Sequence, residues 1–319
     1  MTGGTGLIGQ AVCEMLATMG AEVIIITLDD IVSPHGTTIK GDLRNFQFCQ
    51  DVMRGADQTF HLSGIKADPI TTKLRPASFF VPLLQMNSNV LEACRLNNVS
   101  RVVYTSSIGA YPPAEVFHES HDLEKEFTQS SMDLYPGWAK RMGELQVQAY
   151  RQEHGLLNQF AVVRPCNVFG PGDNFDLTNA MVIPSLMAKI RKFQKDGTLV
   201  QLWGDGSPIR DFLFSEDCAL GILCAAFYGT YEWPYVNLGS GSEVSILQLV
   251  KTMREITYFD YEFDTSRPNG FAKRVMDISV AMSLWPYKPQ IELKQALQHT
   301  WQWYLQHEED YKMKKQYFK

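Results

Sequence analysis

Three glycines, Gly3, Gly6 and Gly9, recur at three-residue intervals in Thr2-Gly3-Gly4-Thr5-Gly6-Leu7-Ile8-Gly9 and lead directly into a helical apolar pattern. Glycines so placed permit a tight turn, close approach of the backbone to a pyrophosphate, and close helix–strand packing. The helix N-terminus behind them supplies N–H donors and a partial positive charge for the same phosphate. An apolar strand follows and ends in Asp29-Asp30, about 20 residues beyond the glycines, where a dinucleotide site places its ribose acid. A carboxylate there accepts from both ribose hydroxyls and repels a 2′-phosphate. No Arg or Lys comes before Lys40, so the pattern favours NAD, with NADP possible. Asp29 and Asp30 face opposite ways on an extended segment, and the sequence does not choose between them. Asp42, in Gly41-Asp42-Leu43, follows the next short strand.

The elements that must hold these residues are legible from periodicity. Residues 23–28, 58–62, 101–105 and 159–164 are short apolar or β-branched runs without alternation, the mark of strands buried on both faces. Between them, 10–19, 46–54 and 84–96 carry apolar residues at helical spacing. This alternation predicts an α/β fold: a Rossmann-type doubly wound parallel sheet. After Pro171 the pattern changes, with helices at 181–193 and 245–256, a short strand at 199–203, and a closing stretch at 293–311 rich in Gln, Trp and Tyr. We read these as a smaller α/β substrate lobe. The expected division is 1–166 plus 211–236 for the dinucleotide-binding domain, and 167–210 plus 237–319 for the substrate lobe. The strand that should precede the glycine loop is reduced to Met1 and Thr2, which predicts unpaired neighbours and poor stability; a start codon assigned too far downstream would account for it.

Composition narrows the function classes. The chain has 319 residues and a formal net charge of −6, which argues against a surface that tracks nucleic-acid phosphates. The lysines at 312, 314 and 315 read as a solvated helix end. No apolar run reaches the roughly 18 residues of a membrane span, and no signal-peptide pattern opens the sequence. Six cysteines are widely spaced without a C-x-x-C pair. They predict reduced, buried thiols, no metal site and a cytoplasmic protein.

Taken together, Thr2 to Gly9, Gly41-Asp42-Leu43-Arg44, His61-Leu62-Ser63-Gly64, Tyr104-Thr105-Ser106-Ser107, Arg164-Pro165-Cys166-Asn167-Val168-Phe169-Gly170-Pro171 and Trp203 to Phe212 resemble the extended short-chain dehydrogenase/reductase family. The likeness runs nearly end to end and is greatest to the sugar-nucleotide enzymes grouped around GDP-L-fucose synthase. It implies an NAD(P)-dependent oxidoreductase or epimerase that exchanges hydride at a carbon of a nucleotide-linked sugar, GDP-linked by preference, and that works as a homodimer through 84–96 and 138–150. The alternative is an NAD-binding, catalytically impaired homologue with a regulatory or scaffold role. For the cofactor, the resemblance implies contacts from Gly3, Gly6, Leu7, Ile8 and Gly9, from Asp29, Asp30, Asp42 and Leu43, from Leu62, Ser63 and Gly64, and from Lys140, Pro165, Asn167 and Val168. For the substrate, it implies Ser107, Asn167, Val182, Trp203, Arg210 and Arg267. Arginine suits bidentate contact with a diphosphate, Asn167 can offer its amide, and Trp203 also reads as a core side chain.

The resemblance further implies a Tyr acid/base, a Lys four residues later that lowers the Tyr pKa, and a Ser that positions the substrate oxygen. Ser107 and Lys140 stand at the matching positions, but the Tyr position is Pro136 and Tyr135 lies one residue early. Residues four apart nearly eclipse on a helix, whereas residues five apart diverge by about 140°. With Pro136 at the first helical position, Tyr135 would be the cap, free to swing into the site. The fucose-synthase pattern also has a Cys and a His where this chain has Gly109 and Met181, and neither carries a proton. Glu115, His118 and Glu119 read as a solvated loop, and Tyr311 with Lys315 as a chance repeat of the Tyr–Lys spacing.

Overall fold

The structure is a computed structural model that describes residues 1–65, 69–120, 134–156 and 159–308. The first half begins with α1 (Leu7–Thr18), β1 (Ile24–Thr27), β2 (Thr37–Lys40), α2 (Phe46–Met53) and β3 (Gln58–His61). It continues with α3 (Pro69–Leu74), α4 (Pro76–Leu96), β4 (Arg101–Thr105), β5 (Val116–Phe117), α5 (Leu134–His154), β6 (Phe160–Pro165) and β7 (Asn167–Phe169). Strands β1 and β2 pair in parallel, and a parallel four-stranded sheet runs β3, β4, β6 and on to a strand from the second half. Every residue of β6 is buried, Arg164 within its apolar run included. Helix α4 begins eight residues before the expected 84 because it continues through Pro82.

The two blocks of sheet are joined by one residue. Thr2 bridges Ile26 and His61 in parallel. The Thr2 amide donates to Phe60 O, Gly3 N to Ile26 O, Ile26 N to Met1 O, and Leu62 N to Thr2 O. The unpaired neighbours expected around a missing first strand are therefore not found: Met1 to Gly3 occupy the central place and hold β1 and β3 together.

The second half adds α6 (Val182–Asp196), β8 (Val200–Trp203), β9 (Ile209–Arg210), β10 (Phe212–Phe214), α7 (Ser215–Tyr228) and β11 (Val236–Leu238). It closes with β12 (Val244–Ser245), α8 (Ile246–Ile256), β13 (Tyr261–Asp264), β14 (Lys273–Met276), α9 (Ser279–Leu284) and α10 (Leu293–Gln306). The strand that completes the large sheet is β11, beside β6. Helix α6 stops at Gly197, whose φ of 74° closes a left-handed C-cap.

Two main cores result. One packs around the large sheet and includes Val103, Val162, Leu213 and α7; the other joins Ile183, Leu202, Leu249 and Trp301. Strands β7 and β10 pair between them: Phe212 and Phe214 enter the smaller core while Leu213 enters the larger. The alternation of a strand's side chains thus fastens one lobe to the other. The stretch 237–319, expected wholly in the smaller lobe, divides, because Leu238, Met276, Ala281, Trp285 and Tyr287 belong to the larger core. The lysines at 312, 314 and 315 and the Tyr311–Lys315 spacing lie outside the described residues.

Candidate active site

The glycine loop is shaped by close approach. Gly3 has φ of 71°, and a Cβ on it would sit 2.9 Å from the Ser63 nitrogen. A Cβ on Gly9 would overlap the Gly3 carbonyl oxygen. Gly6 caps α1 without any side-chain hydrogen bond to the first turn, so those amides are left for a phosphate. Gly4, missed in the sequence reading, is equally required, since its Cβ would meet the Ile25 side chain at 2.7 Å. The loop therefore fits a dinucleotide pyrophosphate. Leu7 and Ile8, at the start of α1, are partly buried against the core, and Leu43 is buried in it.

Asp29 and Asp30 separate in space. The Asp29 carboxylate accepts from Thr5 Oγ1 at 3.0 Å and from Thr27 Oγ1 at 3.4 Å, which turns it toward the glycine loop. Asp30 is exposed and ion-paired with Lys40. Asp42 pairs with Arg44, whose Nε is 2.9 Å and 3.0 Å from its two oxygens. The segment after β3 closes the loop: the Ser63 amide donates to Thr2 Oγ1 at 3.4 Å. Leu62 packs against the large core, and Gly64 follows.

Lys140 lies at the carboxyl ends of β3 and β4. Its Nζ donates to Thr105 O at 2.7 Å, stands 5.4 Å from the centre of the Tyr104 ring, and is 3.9 Å from where a Gly64 Cβ would be. Burial lowers its pKa to about 8, with the Glu144 charge acting in the other direction. Ser107 caps a short 3-10 turn, its Oγ accepting from the Gly109 amide at 3.1 Å. Tyr135 does not join them as a cap. Helix α5 starts at Leu134, which puts Tyr135 and Pro136 inside the first turn. The Tyr135 ring meets Phe80 edge-on at 5.9 Å and is 42% exposed. Helical geometry sets it on the face of Met142, also exposed, and away from Lys140.

Of the residues expected to meet the substrate, Asn167 opens β7 and Arg210 ends β9, while Val182 and Trp203 lie on α6 and β8. Asn167 donates to Asp211 O at 3.0 Å. Arg210 pairs in register with Arg274, a residue the sequence reading passed over. Burial first, and the Arg274 cation second, lower the Arg210 pKa to about 10. Like charges facing across strands are unfavourable, and an anion beside them would relieve the repulsion. Behind them the buried Asp211 carboxylate accepts from Ser240 N at 2.9 Å and from Ser240 Oγ at 2.6 Å. Trp203 is 49% exposed, which overturns the reading of it as core, and the Arg267 guanidinium lies 5.5 Å from its ring centre. Arg267 also pairs with Asp264 at 3.7 Å. Val182 opens α6 with its side chain exposed, Pro165 ends β6, and Val168 is buried.

Residues 1–231 match the NAD dependent epimerase/dehydratase family. The chain belongs to that family. It is 29% identical over 300 residues to a GDP-L-fucose synthase of Sinorhizobium fredii, covering 92% of this chain and 91% of that one. It is 28% identical to a dTDP-4-dehydro-6-deoxy-D-allose reductase of Streptomyces bikiniensis, covering 96% of each. The crystal structure of a GDP-L-fucose synthetase from Naegleria fowleri bound to NADP superposes with a TM-score of 0.81 at 27% identity, covering 97% of this chain and 94% of that chain.

Within this epimerase/dehydratase framework the chain carries a buried cluster that periodicity did not reveal. Arg164 on β6 is fully buried, pairs with Glu144 of α5 through an Nε–Oε1 bond of 2.7 Å, and lies between the rings of Tyr111 and Tyr235 at 4.2 Å and 3.3 Å. Tyr111 donates to Asn237 Oδ1 at 2.8 Å. Glu119, expected on a solvated loop, is instead buried and accepts from Asn237 N at 2.8 Å. His118 is held by Asp277 at 2.7 Å. A buried arginine inside an apolar run was the available signal, since burying a charge requires a partner. All six cysteines are buried and free. Among the described residues no helix is long and apolar enough to cross a membrane.

Proposed function

We propose that the protein oxidises or reduces a carbon of a nucleotide-linked sugar with NAD(P), as an epimerase or a 4-keto reductase. The observation that carries this is the segment after β3, whose Ser63 lies against Gly3 of the glycine loop and whose Gly64 leaves its side-chain position open 3.9 Å from the Lys140 Nζ. The glycine loop and a buried cation at one set of strand ends support a dinucleotide bound where open α/β sheets bind ligands. NAD(P) supplies or accepts the hydride there. Gly3, Gly6 and Gly9 would hold its pyrophosphate and Asp29 its adenosine ribose. Arg210, with Arg274 beside it, would take the substrate diphosphate, and Ser107 would orient the sugar oxygen.

The carboxylate of Asp29 favours NAD over NADP. GDP is the preferred nucleotide by analogy with the fucose-synthase relatives. Gly109 and Met181 offer no proton where those enzymes use Cys and His, which disfavours a double epimerisation. A homodimer is proposed through α4 and α5, where Leu84, Ser88, Met142, Leu145 and Gln146 border a cavity of about 430 Å³ and Met142 and Leu145 are exposed. Six free, buried thiols suit the cytoplasm.

Mass spectrometry of products from GDP-, UDP-, dTDP- and CDP-sugars, with NAD(H) and NADP(H) each supplied, tests the reading. A new sugar nucleotide formed with cofactor turnover supports it. A chain that binds NAD and converts none of the panel is instead a cofactor-binding scaffold.

A further inference from the structure

The proton that must accompany hydride transfer has no donor at the position where the family spacing puts its tyrosine, because that position is Pro136. Tyr135 is turned about 140° from Lys140 on α5, with its ring against Phe80. Lys140, by contrast, reaches the strand ends: its Nζ meets Thr105 O, two residues before Ser107, and faces Gly64.

We propose that Lys140 itself exchanges the proton with the sugar oxygen, an inference that rests on the nucleotide-sugar reading above. In the reducing direction, hydride from the reduced nicotinamide adds to the carbonyl carbon. The C=O π pair becomes the new O–H bond, taking a proton from Lys140 Nζ. The lysine is left as a neutral amine, and water returns its proton. Oxidation runs the same steps in reverse.

The groups facing Lys140 suit that role, since among the described residues none locks the ammonium in a salt bridge. On β3, His61 is fully buried and its pKa falls to about 3 by burial, then by Lys140, so it stays neutral. Asn87 on α4 shows which tautomer is present: its Nδ2 donates to Tyr104 Oη at 3.0 Å and Ala139 O at 3.2 Å, so its Oδ1 accepts from His61 Nε2 at 3.0 Å. His61 Nδ1 then accepts from Thr2 Oγ1 at 2.7 Å. On β4, burial holds the Tyr104 phenol well above its usual pKa, and it donates to Lys140 O at 3.1 Å. Glu144, on α5, is already paired with Arg164 of β6. What remains is an ammonium whose pKa burial has brought to about 8, in the range where a general acid or base is most effective.

The test compares Tyr135→Phe, Lys140→Arg and Lys140→Met on the best substrate of the panel, with NADH binding followed by fluorescence. Tyr135→Phe is expected to keep kcat within about threefold. Lys140→Arg is expected to keep NADH affinity within about threefold, because the cation is retained, yet to lose about 10²–10⁴-fold in kcat, the usual range for a lost proton-transfer group. Lys140→Met should lose both binding and kcat. Acylation of Lys140 in the free protein, followed by mass spectrometry against pH, should show a midpoint near 8. Turnover that survives Lys140→Arg but not Tyr135→Phe overturns the proposal, as does an acylation midpoint above about 10, the ordinary lysine value. A wild-type chain that converts no nucleotide sugar sinks the functional reading instead, and the proton role with it.

Discussion

At the scale of single residues, the two acids that follow β1 show how little separates a carboxylate aimed at the glycine loop from a surface charge. Asp29 is turned inward by Thr5 and Thr27, while Asp30 reaches out to Lys40. Replacing Asp29 by Ser removes the ribose acceptor and the charge that repels a 2′-phosphate. The NAD-to-NADP preference should fall by about tenfold or more, on the order of one charge-assisted hydrogen bond, and fluorescence titration with each cofactor reads it; an unchanged ratio would show that Asp29 does not meet the ribose. Lys140 makes a prediction about stability. Its folded pKa lies near 8, below the ordinary 10.5, so between those values the unfolded chain binds more protons and stability rises with pH. The burial penalty is fully present below about pH 8 and is released on the way to 10.5. Lys140→Met should therefore be at least as stable as the wild type at pH 7, with that advantage shrinking by pH 10, in urea unfolding measured at each pH.

Among the elements, α5 is the one whose placement matters most, and several independent contacts set it. Tyr104 and Asn87 hydrogen-bond to its carbonyls at Lys140 and Ala139. Gly143 leaves room for the Tyr104 phenol, which a Cβ would strike. One turn on, Glu144 is clamped by Arg164 of β6. Removing one partner of a buried pair strands the other charge, at a cost of about 3–5 kcal/mol. Arg164→Met should lower unfolding stability by that amount, and a loss below about 1 kcal/mol would mean that Glu144 finds another partner. The strand–helix alternation, the glycine loop and the ends of most elements were legible from periodicity and turn residues. The Arg164 cluster was not, because its members come from α5, β6, the turn around Tyr111 and the stretch before β11, and no local pattern links them.

For the whole molecule, the large sheet depends on Thr2 as its central bridge. In register, residues placed before Met1 would lie between β1 and the start of β3, where the Met1 amine now donates to Ile24 O at 2.8 Å. Adding a short β-branched segment ahead of Met1 should raise the melting temperature by several degrees, since each completed ladder bond contributes about 0.5–1.5 kcal/mol; equal melting curves would show that the short bridge suffices. The proposed dimer face is also open to test. Met142→Glu with Leu145→Glu puts charge on an exposed apolar face and should give a monomer by sedimentation, with the fold retained by circular dichroism.

The sequence by itself determined the fold class, the phosphate loop and the family, because each is written in local spacing: glycines three apart, apolar runs of strand length, acids at a strand end. It also showed that the tyrosine position is occupied by Pro136. Only the tertiary structure decided which aspartate faces the loop, that Trp203 is exposed, that Arg274 stands beside Arg210, and that Tyr135 turns toward Phe80 rather than Lys140. Those outcomes depend on strand register and helix rotation. Both are set by packing between segments far apart in the chain, and no local pattern encodes them.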